Sequence, residues 1–348
     1  MFTTDGLAVV ILNYNGRNFL KQCLPSVIQH SGQAIIFVAD NGSTDDSVAF
    51  VQANFPTVRL LTFSKNHGFS AGYNLALQQI KAKWFLLLNS DVEVCADWLA
   101  PFEDFIAQHP EIVAFQPKLR TFDNPQYFEY AGAAGGFLDK WGYPFCRGRI
   151  FQTLEEDKGQ YDEPMYVFWA SGAALCVRAE VFFEAGALDA DFFAHMEEID
   201  LCWRIQRLGY RVACVPQSTV LHIGAGTLAA QNPHKTYLNI RNNLAMLTKN
   251  LPLKQLGLVL LMRLGLDMLW AFYLLVQGKR QQSLAIGKAY LHFYGKFRYW
   301  IRKRQQFKQP FLSSDFFYPT SIIGQYFIKK RKYFSSLAEL KHFEIPKG

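Results

Sequence analysis

The sequence predicts an α/β fold, built on a mostly parallel sheet with helices on both faces. Two observations support this. The first is that short apolar runs recur through the first half of the chain, and the second is that stretches of helical periodicity lie between these runs. Apolar strands joined by helices are typical of a parallel sheet buried on both sides. The apolar runs cover residues 7–12, 35–39, 58–62 and 84–88.

The remaining elements follow the same kind of pattern. Residues 111–168 show no regular period and are rich in glycine and aromatic side chains, so we expect loops that shape a substrate pocket. The predicted helices cover 19–29, 45–54, 71–80 and 196–208, and two further strands cover 172–178 and 211–215.

The charge of the chain is unevenly distributed. Half of the 348 residues are apolar and 19% are charged, which excludes global disorder. The net charge of +7 combines an acidic body with a basic tail: residues 1–277 hold 21 Lys and Arg against 26 Asp and Glu, whereas residues 278–348 hold 15 against 3. A basic tail on an acidic body predicts an anionic partner, either a membrane or a nucleic acid.

The cysteines argue against a disulfide framework and against a zinc site. None forms a CxxC pair, and no histidine stands at metal-site spacing from them, which fits a reducing compartment. Asp5 stands where a secretion signal has basic residues, so we expect the bulk of the protein in the cytosol. The six cysteines are Cys23, Cys95, Cys146, Cys176, Cys202 and Cys214.

A polar cluster follows each of the first four predicted strands. Ligands of parallel sheets bind beyond the carboxyl ends of the strands. Turn chemistry explains any one cluster, because Asn, Asp, Gly and Ser are common turn residues. Four clusters at one edge instead indicate a binding site. They comprise residues 13–15, 40–43, 64–74 and 89–91.

Asp91 closes a strongly apolar strand and is a candidate metal ligand. Mg²⁺ and Mn²⁺ prefer oxygen ligands and are commonly shared with substrate phosphates. The chain contains neither GxxxxGK nor GxGxxG, so neither of these phosphate loops is available. We therefore expect a nucleotide held by a metal on its diphosphate, with Asp40 accepting a hydrogen bond from the base or ribose.

The segment HMEEIDLCWR at residues 195–204 places three carboxylates within four positions. Glu197, Glu198 and Asp200 repel one another, which raises their proton affinity unless cations intervene. Such a carboxylate suits a base that takes a proton from an alcohol. The alternative is the solvated first turn of a helix, where acidic residues are favoured by the helix dipole.

The motifs VVILNYNG, VADNGSTDDS, NHGFSAGYN, LLLNSDVEV, GAALCVR and HMEEIDLCWR occur in the order seen in family 2 glycosyltransferases. Over residues 7–245 the chain resembles this family, and most of all its rhamnosyltransferase-like branch in bacterial polysaccharide assembly. The resemblance implies an inverting enzyme with a Rossmann-like GT-A fold that uses a nucleotide-diphosphate sugar. We expect a glycosyltransferase domain at residues 1–248 and a helical, basic region at 249–348.

The resemblance also implies the roles of individual residues. The base is expected to be Glu198, which stands where the family usually has Asp, with Glu197 and Asp200 as alternatives. The metal, Mg²⁺ or Mn²⁺, is expected on Asp91 and His222, because Asn89 replaces the first acid of the DxD motif. The expected nucleotide-sugar contacts are Asn13, Tyr14, Asn15, Asp40, Asn66, Gly68, Gly72, Asn74, Asn89, Ser90, Arg204 and Arg241. Arg204 is also placed to pair with Asp200 four residues earlier.

The apolar segment 256–276 is about as long as a membrane span. Arg263 and Asp267 interrupt it, and burying them in lipid costs several kcal/mol even if they pair. We therefore expect a helix lying in, or partly inserted into, the cytoplasmic face of the inner membrane. The aromatic and basic tail favours an anionic membrane over a nucleic acid, and helices packed on the body with a solvated basic face are a third possibility.

The expected partners are a nucleotide-diphosphate sugar and a glycan or lipid-linked acceptor. Two other functions stay open on the sequence alone. A nucleotidyltransferase has a similar sheet, but usually a glycine-rich basic signature near its N-terminus that this chain lacks. A non-catalytic, glycosyltransferase-like binding subunit is disfavoured by the intact acidic cluster together with Asp91 and His222.

Overall fold

The structure is a computed structural model that describes residues 6–224, 232–338 and 340–345. Asp5, which entered the prediction about a secretion signal, lies outside them. The described strands are β1 Leu7–Asn13, β2 Ile35–Asp40, β3 Arg59–Thr62, β4 Trp84–Asn89, β5 Val92–Val94, β6 Ile112–Thr121, β7 Gly136–Leu138, β8 Pro144–Cys146, β9 Arg149–Ile150, β10 Thr153–Leu154, β11 Met165–Tyr166, β12 Ala174–Arg178 and β13 Arg211–His222.

Helices cover both faces of the sheet and fill the C-terminal part of the chain. They are α1 Arg17–His30, α2 Ser47–Asn54, α3 Gly68–Leu77, α4 Ala100–Gln108, α5 Ala179–Glu184, α6 Glu197–Arg207, α7 Pro233–Asn250, α8 Leu253–Val276, α9 Arg280–Gly295 and α10 Phe297–Gln306.

The main sheet has the strand order β11-β13-β6-β12-β4-β1-β2-β3, with β5 paired to β13. Six strands run in one direction, and β12, β11 and β5 run against them. The prediction of a mostly parallel sheet is confirmed. Because β1, β2, β4 and β13 run in the same direction, their carboxyl ends meet at one edge, and the antiparallel β12 begins at that edge.

The region 111–168 is more regular than its sequence suggests. It contains the ten-residue strand β6 and a small second sheet of order β10-β9-β8-β7. The strands of the small sheet are two or three residues long, too short for an alternating pattern to show. β6 is buried over its first eight residues even though it includes Gln116, Pro117 and Lys118, so neither apolarity nor period marks it as a strand.

The C-terminal helices and the glycosyltransferase-like body share one hydrophobic core. The predicted boundary at residue 248 falls inside α7, twelve of whose residues are buried. α7 packs against α9 and α10, and α8 packs against α9. After α10 the chain returns to the small sheet, where the amide of Tyr318 donates to the carbonyl of Leu138 at 2.8 Å. The tail is therefore an integral layer of the fold.

Helix α8 passes the length and apolarity requirements for a membrane span, the one described helix to do so. Its Arg263 and Asp267, however, are 2% and 1% exposed and lie on the face turned to the body. They pair with each other at 3.1 Å, as the sequence suggested. The hydroxyls of Tyr143 and Tyr290 donate to the Asp267 carboxylate at 2.7 and 2.8 Å. The charges are thus buried in protein, and the opposite face of α8 is exposed and apolar.

Candidate active site

The ends of β1 and β2 hold Asp40 in a fixed position. Its side chain accepts hydrogen bonds from Asn13 Nδ2 at 2.9 Å and from the amide of Ser43 at 2.9 Å. Asn13 is fully buried, so its hydrogen bond fixes the orientation of the Asp40 carboxylate from the interior of the protein. Asn15, at a φ of 52°, accepts a hydrogen bond from the amide of Thr44 at 2.7 Å. These bonds fix the two loops at the strand ends before any ligand arrives.

Tyr14 lies between Asn13 and Asn15 and is 46% exposed. An exposed aromatic ring beside a fixed carboxylate offers a surface on which a nucleotide base can stack. Of the first polar cluster, Tyr14 is therefore the side chain best placed to touch a ligand, while its two asparagine neighbours hold the loop.

The third cluster packs tightly against the second. Asn66 Oδ1 accepts from Asn41 Nδ2 at 3.1 Å and from the amide of Gly68 at 2.7 Å. Gly68 has a φ of +78°, and a Cβ there would lie 2.5 Å from the ring of Phe193. At Gly72 a Cβ would lie 2.9 Å from Asn41 Nδ2. Both glycines are explained by close approach of α3 to its neighbours.

Asn74 is turned away from this cluster. Its amide makes two hydrogen bonds to the backbone of Leu188, at 2.7 and 3.1 Å. These bonds tie α3 to the segment that leads toward α6. Asn74 therefore has a structural role in this segment, and its expected nucleotide contact stays a prediction.

The ends of β4 and β13 bring Asp91 and His222 together. β13 pairs with β5 so that His222 lies opposite Val92, the residue after Asp91. His222 Nε2 is 3.2 Å from Asp91 Oδ1 and 3.5 Å from Asn89 Nδ2. Ser90, between Asn89 and Asp91, is half-buried and faces Gly16, where a Cβ would lie 3.4 Å from its hydroxyl.

A second acidic residue, Glu129, belongs to this group. Its Oε1 is 3.2 Å from His222 Nδ1, on the opposite side of the ring from Asp91. Burial alone would lower the pKa of His222, but the carboxylates of Glu129 and Asp91 outweigh it and raise that pKa to about 10. Glu129 stands in a glycine-rich stretch without a recognisable motif, which is why the sequence did not indicate it.

The donor atoms of Asp91 and His222 fit a shared divalent cation. Two ligands bound at about 2.1 Å and at a right angle lie about 3 Å apart, close to the separation found here. Glu129 on the other ring nitrogen is the arrangement that orients a metal-bound histidine. Among the described residues, no group of three or more His, Cys, Asp or Glu side chains is arranged so that all of them could bind one metal ion. The remaining ligands would have to come from water or substrate.

The acidic cluster is presented by a strained loop. Phe193, His195 and Met196 have φ values of 65°, 71° and 72°, in the left-handed region that costs non-glycine residues free energy. The amide of Asn242 on α7 donates to the carbonyls of Phe192, Ala194 and His195 at 2.8 to 2.9 Å. Helix α7 thus holds the loop that delivers Glu197 and Glu198.

Helix α3 supports the same loop from the other side. The amide of Phe69 in its first turn donates to the carbonyl of Phe193 at 2.7 Å. Arg241 on α7 donates to the carbonyls of Asp191 and Phe192 at 2.9 and 3.2 Å. At least part of the Arg241 guanidinium is therefore engaged by the backbone of this loop, and its expected diphosphate contact stays a prediction.

Glu197 is buried and Glu198 is half-buried, and no cation of the described residues forms an ion pair with either. The Oε2 atom of each has no hydrogen-bond partner among the described residues. Burial, together with the charge of Glu198, raises the pKa of Glu197 well above its ordinary value. Burial raises the pKa of Glu198 to about 7. The pair therefore holds a carboxylate whose proton affinity suits a base near neutral pH.

Asp200, on the same helix, has the opposite environment. It is fully buried and accepts from Arg204 Nε at 2.9 Å, Lys249 Nζ at 2.8 Å and Asn250 Nδ2 at 2.8 Å. Burial opposes the effect, but the cations Lys249 and Arg204 lower the pKa of Asp200. These contacts favour a structural role for Asp200, and its expected role as an alternative base stays a prediction.

Arg204 is likewise structural. It is 5% exposed, its guanidinium pairs with Asp200, and Nη2 donates to the carbonyl of Ala187 at 2.7 Å. The guanidinium is thus engaged within the protein, and the expected nucleotide contact from Arg204 stays a prediction. The predicted pairing with Asp200 is present. Trp203 packs in the core against Phe168 and Phe317.

The acidic pair and the Asp91 group lie at the same edge of the sheet. The amide of Asn89 donates to the carbonyl of Ala173 at 3.0 Å, where β12 begins beside the end of β4. A Cβ placed on the preceding Gly172 would lie 3.7 Å from Glu198 Cβ. Gly172 is therefore the spacer between Glu198 and the residues around Asp91, and its missing side chain leaves room between them.

Comparison with known proteins places this site in context. The model of glycosyl transferase family 2 matches residues 8–172. The N-acetylglucosaminyl-diphospho-decaprenol L-rhamnosyltransferase of Mycobacterium tuberculosis is 26% identical over 234 residues, which cover 63% of this chain and 76% of the relative. The rhamnosyltransferase WbbL of Escherichia coli K12 is 24% identical over 223 residues, which cover 62% of this chain and 82% of the relative.

Solved structures share the fold at low identity. Residues 1–349 of TarS from S. aureus, in complex with UDP-GlcNAc, superpose with a TM-score of 0.53 at 12% identity, over 86% of this chain and 92% of that one. The mannosyltransferase PcManGT from Pyrobaculum calidifontis, in complex with GDP-Man and Mn²⁺, gives a TM-score of 0.51 at 14% identity, over 86% and 84%. The expected GT-A-like architecture is confirmed.

Proposed function

Since the model of glycosyl transferase family 2 matches residues 8–172, we propose that the chain moves a sugar from a nucleotide-diphosphate donor to a hydroxyl of a lipid-linked glycan in cell-surface polysaccharide assembly, with inversion at the anomeric carbon. One observation carries the proposal. A pair of carboxylates that no described cation pairs with, the buried Glu197 and the half-buried Glu198, lies at the same sheet edge as Asp91 and His222. The edge therefore holds both a base and a place for a diphosphate.

Glu198 is the proposed base. A single displacement needs one group to take the proton of the acceptor hydroxyl as it attacks, and no enzyme nucleophile. Glu198 meets this need because its pKa is raised to about 7 and its neighbour across Gly172 is the strand end that carries Asn89. Glu197 is more deeply buried and has the higher proton affinity, so it is the member of the pair that stays protonated.

Asp91 and His222 are the proposed ligands of a Mg²⁺ or Mn²⁺ ion, with Glu129 orienting the histidine. When bound, the cation supplies charge neutralisation for the departing nucleoside diphosphate. The Mn²⁺ ion in the complex of the mannosyltransferase PcManGT is consistent with this assignment. The protein's own contribution is to hold the Asp91 and His222 donor atoms 3.2 Å apart at the strand ends.

A deoxyhexose is the proposed sugar, and a lipid diphosphate glycan the proposed acceptor. Two curated relatives that align over most of their length carry the name rhamnosyltransferase, and one of them names a diphospho-decaprenol acceptor. Such an acceptor requires an enzyme that works beside a membrane.

The outer face of the C-terminal helices supplies a proposed membrane contact. The apolar face is defined here as the exposed side of α8 and α9 that bears Leu261, Leu269, Phe272 and Leu291, which are 65% to 76% exposed. Residues 278–348 add 15 Lys and Arg against 3 acidic residues. Aromatic and aliphatic side chains with nearby cations are typical of proteins lying in an anionic interface. We therefore place α8 in the interfacial plane of the membrane, since its inner face is committed to the body.

A cavity of about 320 Å³ lies between α7, α9 and α10, beside the loop that precedes Glu197. Its lining includes the aromatic residues Tyr237 and Trp300 and the cations Arg241 and Lys296. Leu291 belongs both to this lining and to the apolar face. The cavity is therefore a suitable point of entry for an acceptor that has an apolar tail and an anionic head.

The transfer reaction itself tests this proposal. The whole chain is mixed with dTDP-rhamnose, Mn²⁺ and an N-acetylglucosaminyl-diphosphoryl alkyl acceptor, and the product is followed by mass spectrometry. UDP- and GDP-sugars are run in parallel. We expect transfer that Glu198→Gln and Asp91→Ala abolish, while Glu180→Gln, an exposed charge change on α5, leaves it unchanged. Full activity in both site variants would show that the site is assigned wrongly.

Membrane binding is tested separately by flotation with phosphatidylglycerol vesicles. We expect the chain to float with these vesicles, and Leu269→Glu and Phe272→Glu to stay at the bottom. Tyr127→Glu, which introduces the same charge at a 37% exposed position on the body, serves as the control and is expected to float. Equal flotation of all variants would contradict the assignment of the apolar face.

A further inference from the structure

Arg149, at the start of β9, is a buried cation without an anionic partner. The residue is 8% exposed. Its Nη2 lies 3.3 Å from Cys146 Sγ, and its guanidinium stacks on the ring of Tyr130 at 4.4 Å. Its Nε is buried and has no hydrogen-bond partner among the described residues. No carboxylate of the described chain forms an ion pair with it.

The other buried arginines are compensated. Arg204 and Arg263 each pair with an aspartate four residues away on the helix. Arg147, two residues before Arg149, donates to the carbonyls of Ala134 and Glu163. Arg149 has neither a carboxylate nor a carbonyl as a hydrogen-bond partner among the described residues. Burial would lower its pKa, but Cys146, Tyr130 and Glu129 outweigh burial and raise it, so the guanidinium keeps its charge. A charged guanidinium with unused donors is suited to bind an arriving anion.

Arg149 is connected to both halves of the active site through its neighbours Tyr130 and Cys146. Tyr130, on which it stacks, follows Glu129, the residue paired with His222. The Cys146 thiol that it touches has its pKa raised by burial, and further by the charges of Glu129 and Glu198, against the effect of Arg149. The charges of Glu198, the proposed base, and of Glu129, the carboxylate beside His222, therefore both act on the thiol that Arg149 contacts.

We propose that Arg149 binds a phosphoryl oxyanion of a substrate, with Tyr130 holding the plane of the guanidinium. This inference rests on the proposed function, because it assigns a further substrate contact in the same site. A planar guanidinium donates two parallel hydrogen bonds to a phosphate, and the stacked ring restricts its rotation. The oxyanion belongs either to the donor diphosphate or to the diphosphate of the acceptor, and both present the same chemistry to Arg149.

Calorimetry on the whole chain tests the contact directly. Inorganic pyrophosphate is titrated in the presence of EDTA, so that metal-dependent binding is excluded. We expect Arg149→Gln to weaken pyrophosphate binding by about tenfold to a hundredfold, the loss of a charge-assisted contact. The matched control is Arg178→Gln: Arg178 also stacks on an aromatic ring, Trp84, but stands at the opposite edge of the sheet. We expect it to bind as the wild type does.

Kinetics then separate the two sources of the oxyanion. A higher KM for the nucleotide sugar assigns Arg149 to the donor, and a higher KM for the diphosphoryl acceptor, with the donor KM unchanged, assigns it to the acceptor.

Because Arg149 forms no ion pair with a described carboxylate, we also expect Arg149→Gln to unfold at a temperature no lower than the wild type. Unchanged pyrophosphate binding in Arg149→Gln, or a lowered melting temperature with both KM values unchanged, overturns the proposal. Absence of any sugar transfer in the wild type would refute the proposed function and leave the pyrophosphate result standing.

Discussion

Two acidic groups on the first turns of α6 differ sharply in their surroundings. Glu197 and Glu198 each have an oxygen without a partner among the described residues and a raised pKa, whereas Asp200 is surrounded by Arg204, Lys249 and Asn250 and has a lowered pKa. All three stand within four positions of the sequence. The difference shows that the partners of each acid, above all Lys249 of α7 and Arg204 of α6, and not the spacing of the acids, determine the proton affinity of each carboxylate.

The largest effect is expected from neutralising Glu198, the proposed base. Glu198→Gln keeps the size of the side chain but removes its ability to take a proton, so we expect transfer to fall about a thousandfold, within the range typical of a lost general base. Glu197→Gln is expected to retain more activity than Glu198→Gln, because Glu197 is the protonated partner. Circular dichroism checks the fold, and steady-state transfer assays measure the loss.

A comparable change at Asp200 is expected to act on stability instead. Asp200→Asn leaves Lys249 and Arg204 with one partner fewer in a buried site, where breaking an ion pair costs about 3 kcal/mol or more. Urea denaturation should therefore show a lower midpoint, while the fraction that stays folded retains most of its transfer rate. A stable but inactive Asp200→Asn variant would break the comparison, since Asp200 would then be part of the chemistry.

A smaller effect is expected from the loop that presents the acids. Asn242→Ala removes the donor to three carbonyls of the strained segment before Glu197. We expect kcat to fall about tenfold with a smaller change in the donor KM, because a misplaced base slows the transfer step more than it weakens binding of the donor. Asn239→Ala is a matched control, since that amide on the same helix bonds only within α7, to the carbonyl of Lys235.

The smallest effect is on the pH dependence of stability. The pKa of Glu198 is raised in the folded state from an ordinary value near 4.5 to about 7, so the folded protein binds this proton more tightly than the unfolded chain. The free energy of unfolding is therefore expected to fall as the pH rises through this window. Glu198→Gln removes the titration, and its denaturation midpoint should decline less between pH 5 and pH 7.5. Parallel curves for both proteins would contradict the raised pKa.

The fold and the location of the site follow largely from the sequence, and the roles within the site do not. Apolar runs with polar ends predicted β1 to β4 and the edge at which ligands gather, because parallel strands must end together. The ion pair of Arg263 and Asp267 was also predictable from their spacing of four residues. Both features depend on residues that are close together in the sequence, so a local pattern is enough to predict them.

Contacts between distant segments do not show in local patterns. The sequence around Asp200 does not show that Lys249 and Asn250, about fifty residues later, contact its carboxylate. Glu129 and Arg149 lie in a region of very short strands, without any period or motif to indicate that they meet His222 and Cys146. Their importance depends on which partners the fold brings to them or withholds.

The most direct test of the central claim is the pH dependence of kcat/KM for sugar transfer by the wild type and by Glu198→Gln. If Glu198 is the base, the wild-type rate should rise tenfold per pH unit below a pKa of about 7 and then level off, and the residual rate of Glu198→Gln should lack this limb. A wild-type rate that is flat from about pH 5 to pH 8, or a limb near pH 7 that persists in Glu198→Gln, would contradict it.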